Sequence, residues 1–496
     1  MEDVPVVHAE AGAGGPRELT RQEKVFTLAA ALLGMFLAAL DQTVVTTAGP
    51  QIQLDLAMDN ALYGWITVAY MVASTVFVPI YGKLSDIYGR KPILLIGMTV
   101  FLLGSIACGL SQSWQMLVAS RAVQGLGSAA LFTTAFAVVA DIFPPAVRGK
   151  YTGIFAGVWG VTSVIGPFLG GFLTDTLSWH WVFFINLPIG LVAIAFVVAR
   201  MPRLGGGARR GVDVVGAIAL AVFVVPLLIA LTLGSRPGSG PEGGGPAMAW
   251  SDPTILGLFA TAVFGFIAFI AIERRVEDPL LDLRLFKVAM FRWGTLAMFV
   301  VGMAFFTAIV FLPLYMQQVL HLSATRSGLA MTPMTLGVVA GNIASGQLVT
   351  RIGRYKGVML VSLIALIGAF AVVALTLSSD TSTASLTGKM VLVGLALGPA
   401  VPLYTLAIQN GAKPHEVGVV TAAATFARQI GGTIGTAILM TVFSTVVAVR
   451  AGANESFAQA MTAGMVAVFW TGAGFALLAV LITLAIPQLP LRKTNR

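Results

Sequence analysis

Runs of about twenty apolar residues recur along the whole chain, and they leave few choices of fold. A helix needs about 20 such residues to cross the ~30 Å hydrocarbon core of a bilayer. In lipid, every backbone N–H and C=O must be paired within the protein, so only helices and closed barrels can span. Fourteen runs can be read, at approximately 25–50, 61–82, 92–111, 114–141, 151–174, 180–200, 212–234, 253–272, 292–318, 326–350, 357–377, 386–409, 417–448 and 462–487. The composition agrees: 57% of residues are hydrophobic and 10% charged, against roughly 25% charged in a soluble domain. The expected fold class is an all-α membrane protein.

Basic residues fix the expected orientation, because short cytoplasmic loops collect Lys and Arg. With the amino terminus inside, the inner segments hold 24 of the 30 basic residues. The outer loops hold Arg236, Arg326 and Arg450, and the spans hold Arg121, Lys389 and Arg428. A miscounted helix would scramble that segregation beyond the error, so both termini are expected in the cytoplasm. The net charge of +9 is then explained without nucleic acid. The polar first 24 residues and the length of the first run argue against a cleaved signal, whose apolar region is only ~7–15 residues.

The chain also repeats itself. Gly82, Leu84, Gly89 and Arg90, in the turn after span two, align at an offset of 264 with Gly346, Leu348, Gly353 and Arg354, and Gly64 with Gly328 keeps the same offset. The economical account is two related six-helix bundles, 25–200 and 292–487, flanked by cytoplasmic tails at 1–24 and 488–496. Between them, residues 201–291 hold a Gly/Arg-rich linker, two additional spans, a Gly/Pro-rich outer loop and a charged interfacial segment.

Asp41 is the acidic residue buried deepest within a run. An ionised carboxylate in hydrocarbon costs at least ~2.5 kcal/mol by insertion scales, so such a group faces a protein interior or an aqueous path. Asp41 lies nine residues below Pro50 and Arg121 seven below Trp114; at 1.5 Å per residue both sit about 10–14 Å beneath the outer helix ends. Comparable depth makes an ion pair plausible. It is either a proton site whose affinity depends on Arg121 and water, or a fixed pair that sets helix packing. In the turn, Asp86 and Arg90 stand four apart, Asp141 is a second partner for Arg90, and Asp86 is placed to meet a helix N-terminus of the other half, where the dipole favours an anion.

These stretches resemble the major facilitator superfamily, and within it the fourteen-span drug:proton antiporters. The turn Gly82 to Lys91 resembles the superfamily's signature loop. Leu40-Asp41-Gln42-Thr43 with Ala48-Gly49-Pro50-Gln51-Ile52 resembles the branch's first-helix motif, and Arg121-Ala122-Val123-Gln124-Gly125-Leu126-Gly127 its fourth-helix motif. Gly157, Gly160, Gly166, Pro167, Gly170 and Gly171 are similar to the fifth-helix signature of antiporters. Trp181 to Gly190 and Arg428-Gln429-Ile430-Gly431-Gly432 are also typical of the branch. The resemblance implies proton coupling at Asp41 and Arg121, and an inner latch at Gly82, Asp86, Gly89, Arg90, Lys91 and Asp141. In the second half Thr350 replaces the acid, so a one-sided latch is expected.

Phe36, Trp65, Gln124, Trp159, Phe305, Phe306, Tyr315, Met331, Asn342 and Arg428 are the candidate cavity residues, placed by the family fold. An apolar, aromatic cavity suits amphiphilic organic molecules. No acid lies deep in spans nine to fourteen, which disfavours dicationic substrates; Arg428 has no partner at its depth and reads as mainly structural. The expected activity is proton-coupled export through an inner (cell) membrane by alternating access, the alternative being a metabolite or lipid exporter or an uncoupled facilitator. No phosphate-binding loop occurs. His8, His180, His321 and His415 stand far apart and Cys108 has no partner thiol, so no metal site and no enzyme is expected. The expected partners are the bilayer and small amphiphiles. No cofactor beyond the proton and a monomeric state complete the expectation. In a Cys108→Ser background, a cysteine at Ser379 should react with a membrane-impermeant maleimide on intact cells while one at Arg354 should not; the reverse result would invert the topology.

Overall fold

The structure is a computed structural model describing residues 19–491, apart from 59–64, 144, 203, 205–210, 212, 235–248, 323, 380, 414–415 and 454. The Gly/Pro-rich loop and most of the terminal tails lie outside the described residues, as does Gly64 of the repeat.

The described chain is helical: α1 (Arg21–Asp55), α2 (Trp65–Tyr88), α3 (Arg90–Gly109), α4 (Trp114–Ile142), α5 (Pro145–Thr176), α6 (Trp181–Phe184), α7 (Asn186–Arg200), α8 (Val214–Gly234), α9 (Pro253–Glu273), α10 (Ala289–Gln318), α11 (Ala324–Ala330), α12 (Thr332–Ile352), α13 (Lys356–Thr376), α14 (Thr383–Leu397), α15 (Ala400–Gly411), α16 (Val417–Gly452) and α17 (Phe457–Leu484). Ends are satisfied locally: Thr20 and Glu23 form a capping box at α1, and Asp252 caps α9 ahead of Pro253. Such caps occupy N–H groups that the first helical turn leaves unpaired.

Among the described residues, twelve helices are long and apolar enough to cross a membrane, with α6–α7 and α14–α15 each counting as one. The fourteen expected runs therefore reduce to twelve by this measure. The two long helices outside the set are α5 and α12, of 32 and 21 residues. They pack on one another, and such contacts favour small residues such as Gly and Thr over long aliphatic ones.

The helices associate as two groups with a pair beside them. One core joins α1, α2, α3, α4 and α7 around Leu94, Met98, Phe101 and Leu131. A second joins α10, α13, α14, α16 and α17 around Phe311, Phe370, Phe443 and Phe469. Close approach is bought with small residues: a Cβ on Gly104 would meet the Gln124 backbone nitrogen at 2.6 Å, so α3 and α4 touch there only through glycine.

Two seams join the groups, α2 on α16 and α5 on α12. They are reciprocal. The helices bearing the repeated turns, α2 and α12, each pack on the fifth helix of the opposite group. The inserted α8 and α9 pair with each other, and α8 also touches α2 and α16, lying along one seam. After α9 the chain bends through a 3-10 turn at Leu283–Lys287, with Leu280 and Leu285 buried against the protein.

At the second seam, a Cβ on Gly160 would stand 3.8 Å from Thr335 Cγ2 and 3.2 Å from Val339 Cγ2, so side chains at 160 and 335 come into contact there. Gly160→Cys with Thr335→Cys, in a Cys108→Ser background, should therefore cross-link under mild oxidation, read as a mobility shift that reductant reverses. Absence of the cross-link in well-expressed protein would remove α5 from α12.

Candidate functional site: a buried carboxylate network and a charged turn

The first group encloses a polar cluster among apolar helices. Asp41 of α1 is fully buried, and Arg121 of α4 approaches it with Nη1 donating to Oδ2 at 2.6 Å. Gln124, one turn along α4, donates to Asp41 Oδ1 at 2.7 Å and accepts from Arg121 Nη1 at 2.6 Å. Asn186, at the start of α7, donates to the same Oδ1 at 2.9 Å. Ser105 of α3 accepts from both amides, at 3.2 and 2.9 Å, and donates to Phe183 O. Arg121 is held further by Ile66 O, which accepts from Nε at 3.1 Å, and by the Tyr70 ring, 4.4 Å from its guanidinium carbon. Five helices thus converge on one carboxylate.

Every polar neighbour of that carboxylate is a donor. Charge-assisted bonds of this kind are roughly twice as strong as neutral ones, and removing one member of a buried pair costs about 3–5 kcal/mol because the other charge is stranded. In this conformation Asp41 is sealed from solvent and saturated. One acceptor in the cluster, Asn186 Oδ1, has no donor.

The turn after α2 builds a second cluster. Gly89 takes φ +92°, a conformation that favours glycine, and so reverses the chain into α3. Arg90 then points back. Its Nη1 donates to Ser85 Oγ and Asp86 Oδ1, both at 2.6 Å, while Nε and Nη2 grip Asp141 at 2.7 and 3.3 Å. Asp86 Oδ2 accepts from the Val419 N–H at 3.1 Å, in the first turn of α16, where aligned peptide dipoles favour an anion. The turn is therefore joined across the α2–α16 seam. A side chain on Gly82 would collide with Ala422, and one on Gly418 with the Asp86 carboxylate. Lys91 is placed elsewhere than expected: its Nζ donates to Val198 O and Met201 O at 2.8 and 2.7 Å, which fastens the end of α7 within the first group and reaches nothing across the seam. In the second half, Thr350 bonds its own helix at Gly346 O and Arg354 is exposed.

The α5 glycines divide by direction. Gly166 and Gly170 abut α1, where added side chains would strike Thr43 and Thr47, and Thr43 Oγ1 donates to Thr162 O at 3.0 Å. Gly160 faces α12, while Gly157 and Gly171 face open space. The side chain of Pro167 lies outside the described residues.

The expected cavity residues stand in several packing environments. Gln124 belongs to the carboxylate cluster. Tyr315 is buried in the second core with its hydroxyl donating to Ser378 O at 2.6 Å, so packing and that bond occupy it. Trp159 stacks on Phe132 at 6.0 Å, Phe36 packs beside Leu40 and Val44, and Met331 packs on the second core. Phe305 and Phe306 meet edge to face at 5.8 Å, with Phe306 against Gly432. Trp65 is half-buried at the start of α2. Asn342 is buried with Oδ1 unpartnered. Arg428 is half-buried, and its side chain makes no hydrogen bond or ion pair among the described residues. A cavity of about 600 Å³ opens instead beside α16 and α17, lined by Ser378, Arg450, Gln459, Thr462 and Trp470 among others.

Sequence reasoning missed Asn186, Ser105 and Tyr70 as members of the first cluster. A polar residue inside an apolar run was the available signal, and for Ser105 many equally placed serines and threonines that bond their own helix obscure it. Among the described residues, no group of three His, Cys, Asp or Glu side chains is arranged to hold a metal ion.

The profile of the Major Facilitator Superfamily matches residues 31–436. The chain is 36% identical over 423 residues to "Multidrug transporter protein MdtP" of Bacillus subtilis, covering 85% of this chain and 76% of that one. It is 38% identical over 420 residues to "Multidrug resistance protein 3" of the same organism, covering 84% and 79%. The crystal structure of the human organic anion transporter MFSD10 (TETRAN) superposes with a TM-score of 0.64 at 17% identity, covering 93% of this chain and 99% of that one; at that identity it shows a shared fold. With a fold, a signature turn and a profile match that agree, the chain belongs to the Major Facilitator Superfamily.

Proposed function

We propose that this protein exports hydrophobic or amphiphilic compounds, drugs and antibiotics among them, in exchange for protons. In this reading α5 and α12 complete fourteen crossings, both termini are cytoplasmic, and the protein sits in the cell (inner) membrane. The observation that carries the reading is Asp41: a carboxylate with no solvent exposure, deep in a spanning helix, paired to Arg121 at 2.6 Å. An intramembrane acid of this kind marks a proton or substrate pathway by default. With the turn cluster joined across the α2–α16 seam, the Gly82–Lys91 face is shut, and we assign this conformation to the arm of the cycle closed toward the cytoplasm. Proton binding then requires the groups to rock apart far enough for water to reach Asp41 and for Arg121 to withdraw, as alternating access around a midplane site provides.

A second reading has an observation behind it. The carboxylate is sealed and every neighbour donates to it, which also suits a permanent pair that sets helix packing in an uncoupled exporter or a facilitator of lipids or metabolites.

The two readings part in proteoliposomes. One proton crossing 100 mV supplies ~2.3 kcal/mol, enough for roughly 50-fold accumulation of a neutral substrate. Wild-type protein with an imposed proton gradient should approach that ratio for at least one dye or antibiotic of a small panel, and Asp41→Asn should bring it to about one while the protein still inserts. Retained accumulation in Asp41→Asn would exclude proton coupling at this residue.

A further inference from the structure

The inserted helix pair carries a second buried acidic site that the exporter reading does not use. Asp213 stands immediately before α8 and is 6% exposed; Glu273 ends α9 and is 3% exposed. Each spends one oxygen on a backbone N–H: Asp213 Oδ1 accepts from Gly216 at 2.7 Å, and Glu273 Oε2 accepts from Leu281 at 3.1 Å. Their other oxygens, Asp213 Oδ2 and Glu273 Oε1, have no partner. Both face the space beside Gly216. A Cβ added there would collide with Asp213 Oδ2 and lie 2.9 Å from Glu273 Oε1. Glycine thus leaves room for two buried, unpartnered carboxylate oxygens to approach the same point.

Two negative charges in such a space oppose one another, and each orphaned acceptor carries its full desolvation cost. Lys83 of α2 is the cation facing Glu273, as Asp213 is the facing acid. Lys83 supplies one positive charge against two negative ones, and its Nζ donates to Pro279 O at 2.8 Å. Among the described residues, that leaves one negative charge in excess and two acceptors without a donor. A single proton shared between the two oxygens would resolve both.

We infer that Asp213 and Glu273 form a proton-binding site, holding one proton between Oδ2 and Oε1, whose occupancy sets how the inserted pair docks on the signature turn. Lys83 and Pro279 are the link. Lys83 lies three residues before Asp86, and the segment it holds includes Leu280, which packs in one cluster with Val72, Val76 and Ile80 of α2 and Ile430 of α16. With the proton bound, the cluster is neutral overall and the segment stays seated along the seam. Without it, the pair repels and draws Lys83 toward the excess charge, away from Pro279. Loss of the proton thus loosens the seam beside the charged turn, where Asp86 meets α16.

The coupling of this proton to transport rests on the exporter reading; its binding does not, and the test separates the two. In pH-difference infrared spectra of the purified full-length protein in lipid, a carboxylic acid C=O band should be present in wild type and in Asp41→Asn. It should be absent when either Asp213→Asn or Glu273→Gln is added to Asp41→Asn, because a shared proton needs both acids and Asp41 is then no second source of the band. Gly216→Ala in the same background keeps both acids and forces them apart, so the band should titrate about one pH unit lower or more. A band that survives in either of those double variants, or an unshifted band with Gly216→Ala, overturns the shared proton. A band displaced by sodium, potassium or magnesium overturns it too, by making a metal cation the occupant. In proteoliposomes, wild-type export should change roughly tenfold over about two units of pH on the face bearing the turn, and Gly216→Ala should move that dependence with its band. A wild-type band with a flat export profile would overturn the control of docking and leave Asp41 untouched.

Discussion

A carboxylate inside a bilayer protein must be compensated where it stands, and the first helical group is arranged around that requirement at Asp41. No single neighbour suffices. Arg121 cancels the charge, but a buried guanidinium brings donors of its own, and these are met by Gln124 Oε1, Ile66 O and the face of Tyr70. Gln124 and Asn186 then fill the second carboxylate oxygen, and Ser105 receives the remaining amide protons. The contacts come from α1, α2, α3, α4 and α7, so the network also fixes how those helices stand. Satisfying the charge and packing the group are one arrangement, which is why the same geometry supports both a proton site and a fixed pair until the charge is tested.

The seams between the groups use a different chemistry. At the α2–α16 seam the charged turn reaches one backbone N–H, and glycines at 82 and 418 allow the helices to touch. At the α5–α12 seam, Gly160 faces Thr335 and Val339. Neither seam has an ion pair between long side chains among the described residues. Helix-to-helix contact through small residues involves little side-chain ordering and can be broken without stranding a charge. Asp86 is the exception, and its anion can exchange the helix N-terminus for water at the membrane surface at small net cost. Strong bonds thus lie within the first group and weak ones between groups. Gly166 and Gly170 press α5 on α1 at Thr43 and Thr47, beside Asp41, so one helix contacts both the carboxylate's own helix and the opposite group.

Twelve of the fourteen spans, the repeated turn and the pairing of Asp41 with Arg121 were legible because each follows from one-dimensional quantities: run length, a constant offset, and depth counted along a helix. The Asp86 contact with a helix N-terminus was legible too, since a short acid beside a turn has few other places to go. Faces were not legible. In a helix apolar on all sides, periodicity carries no direction, and Tyr315, expected in a cavity, is buried in a core with its hydroxyl on Ser378 O. Lys91 misled for a related reason, because positive-inside charge and a latch look the same in sequence, and only the fold shows its ammonium on the end of α7. Asn186 went unassigned because its partners, Asp41 and Ser105, come from two other helices. The helices α5 and α12 met the sequence criterion less well than their neighbours because residues chosen for helix contact dilute the apolar signal that lipid contact leaves intact.

What the two repeats share, and what they do not, separates backbone needs from chemical ones. Gly89 and Gly353 both take positive φ, at +92° and +72°, to close the same turn, and that demand comes from geometry alone. The charges around it are not repeated. Where Arg90 is clasped by two acids, Arg354 is exposed and Thr350 bonds its own helix. Where the first group buries Asp41 with Arg121, the second buries neutral pairs such as Gln409 with Thr421 and Tyr404 with Thr483. A repeat in which both halves titrated would place like charges on either side of a shared interior and oppose their approach. Confining the buried carboxylate and its arginine to one half leaves the other without a deep acid among the described residues, and there Arg428 makes no ion pair.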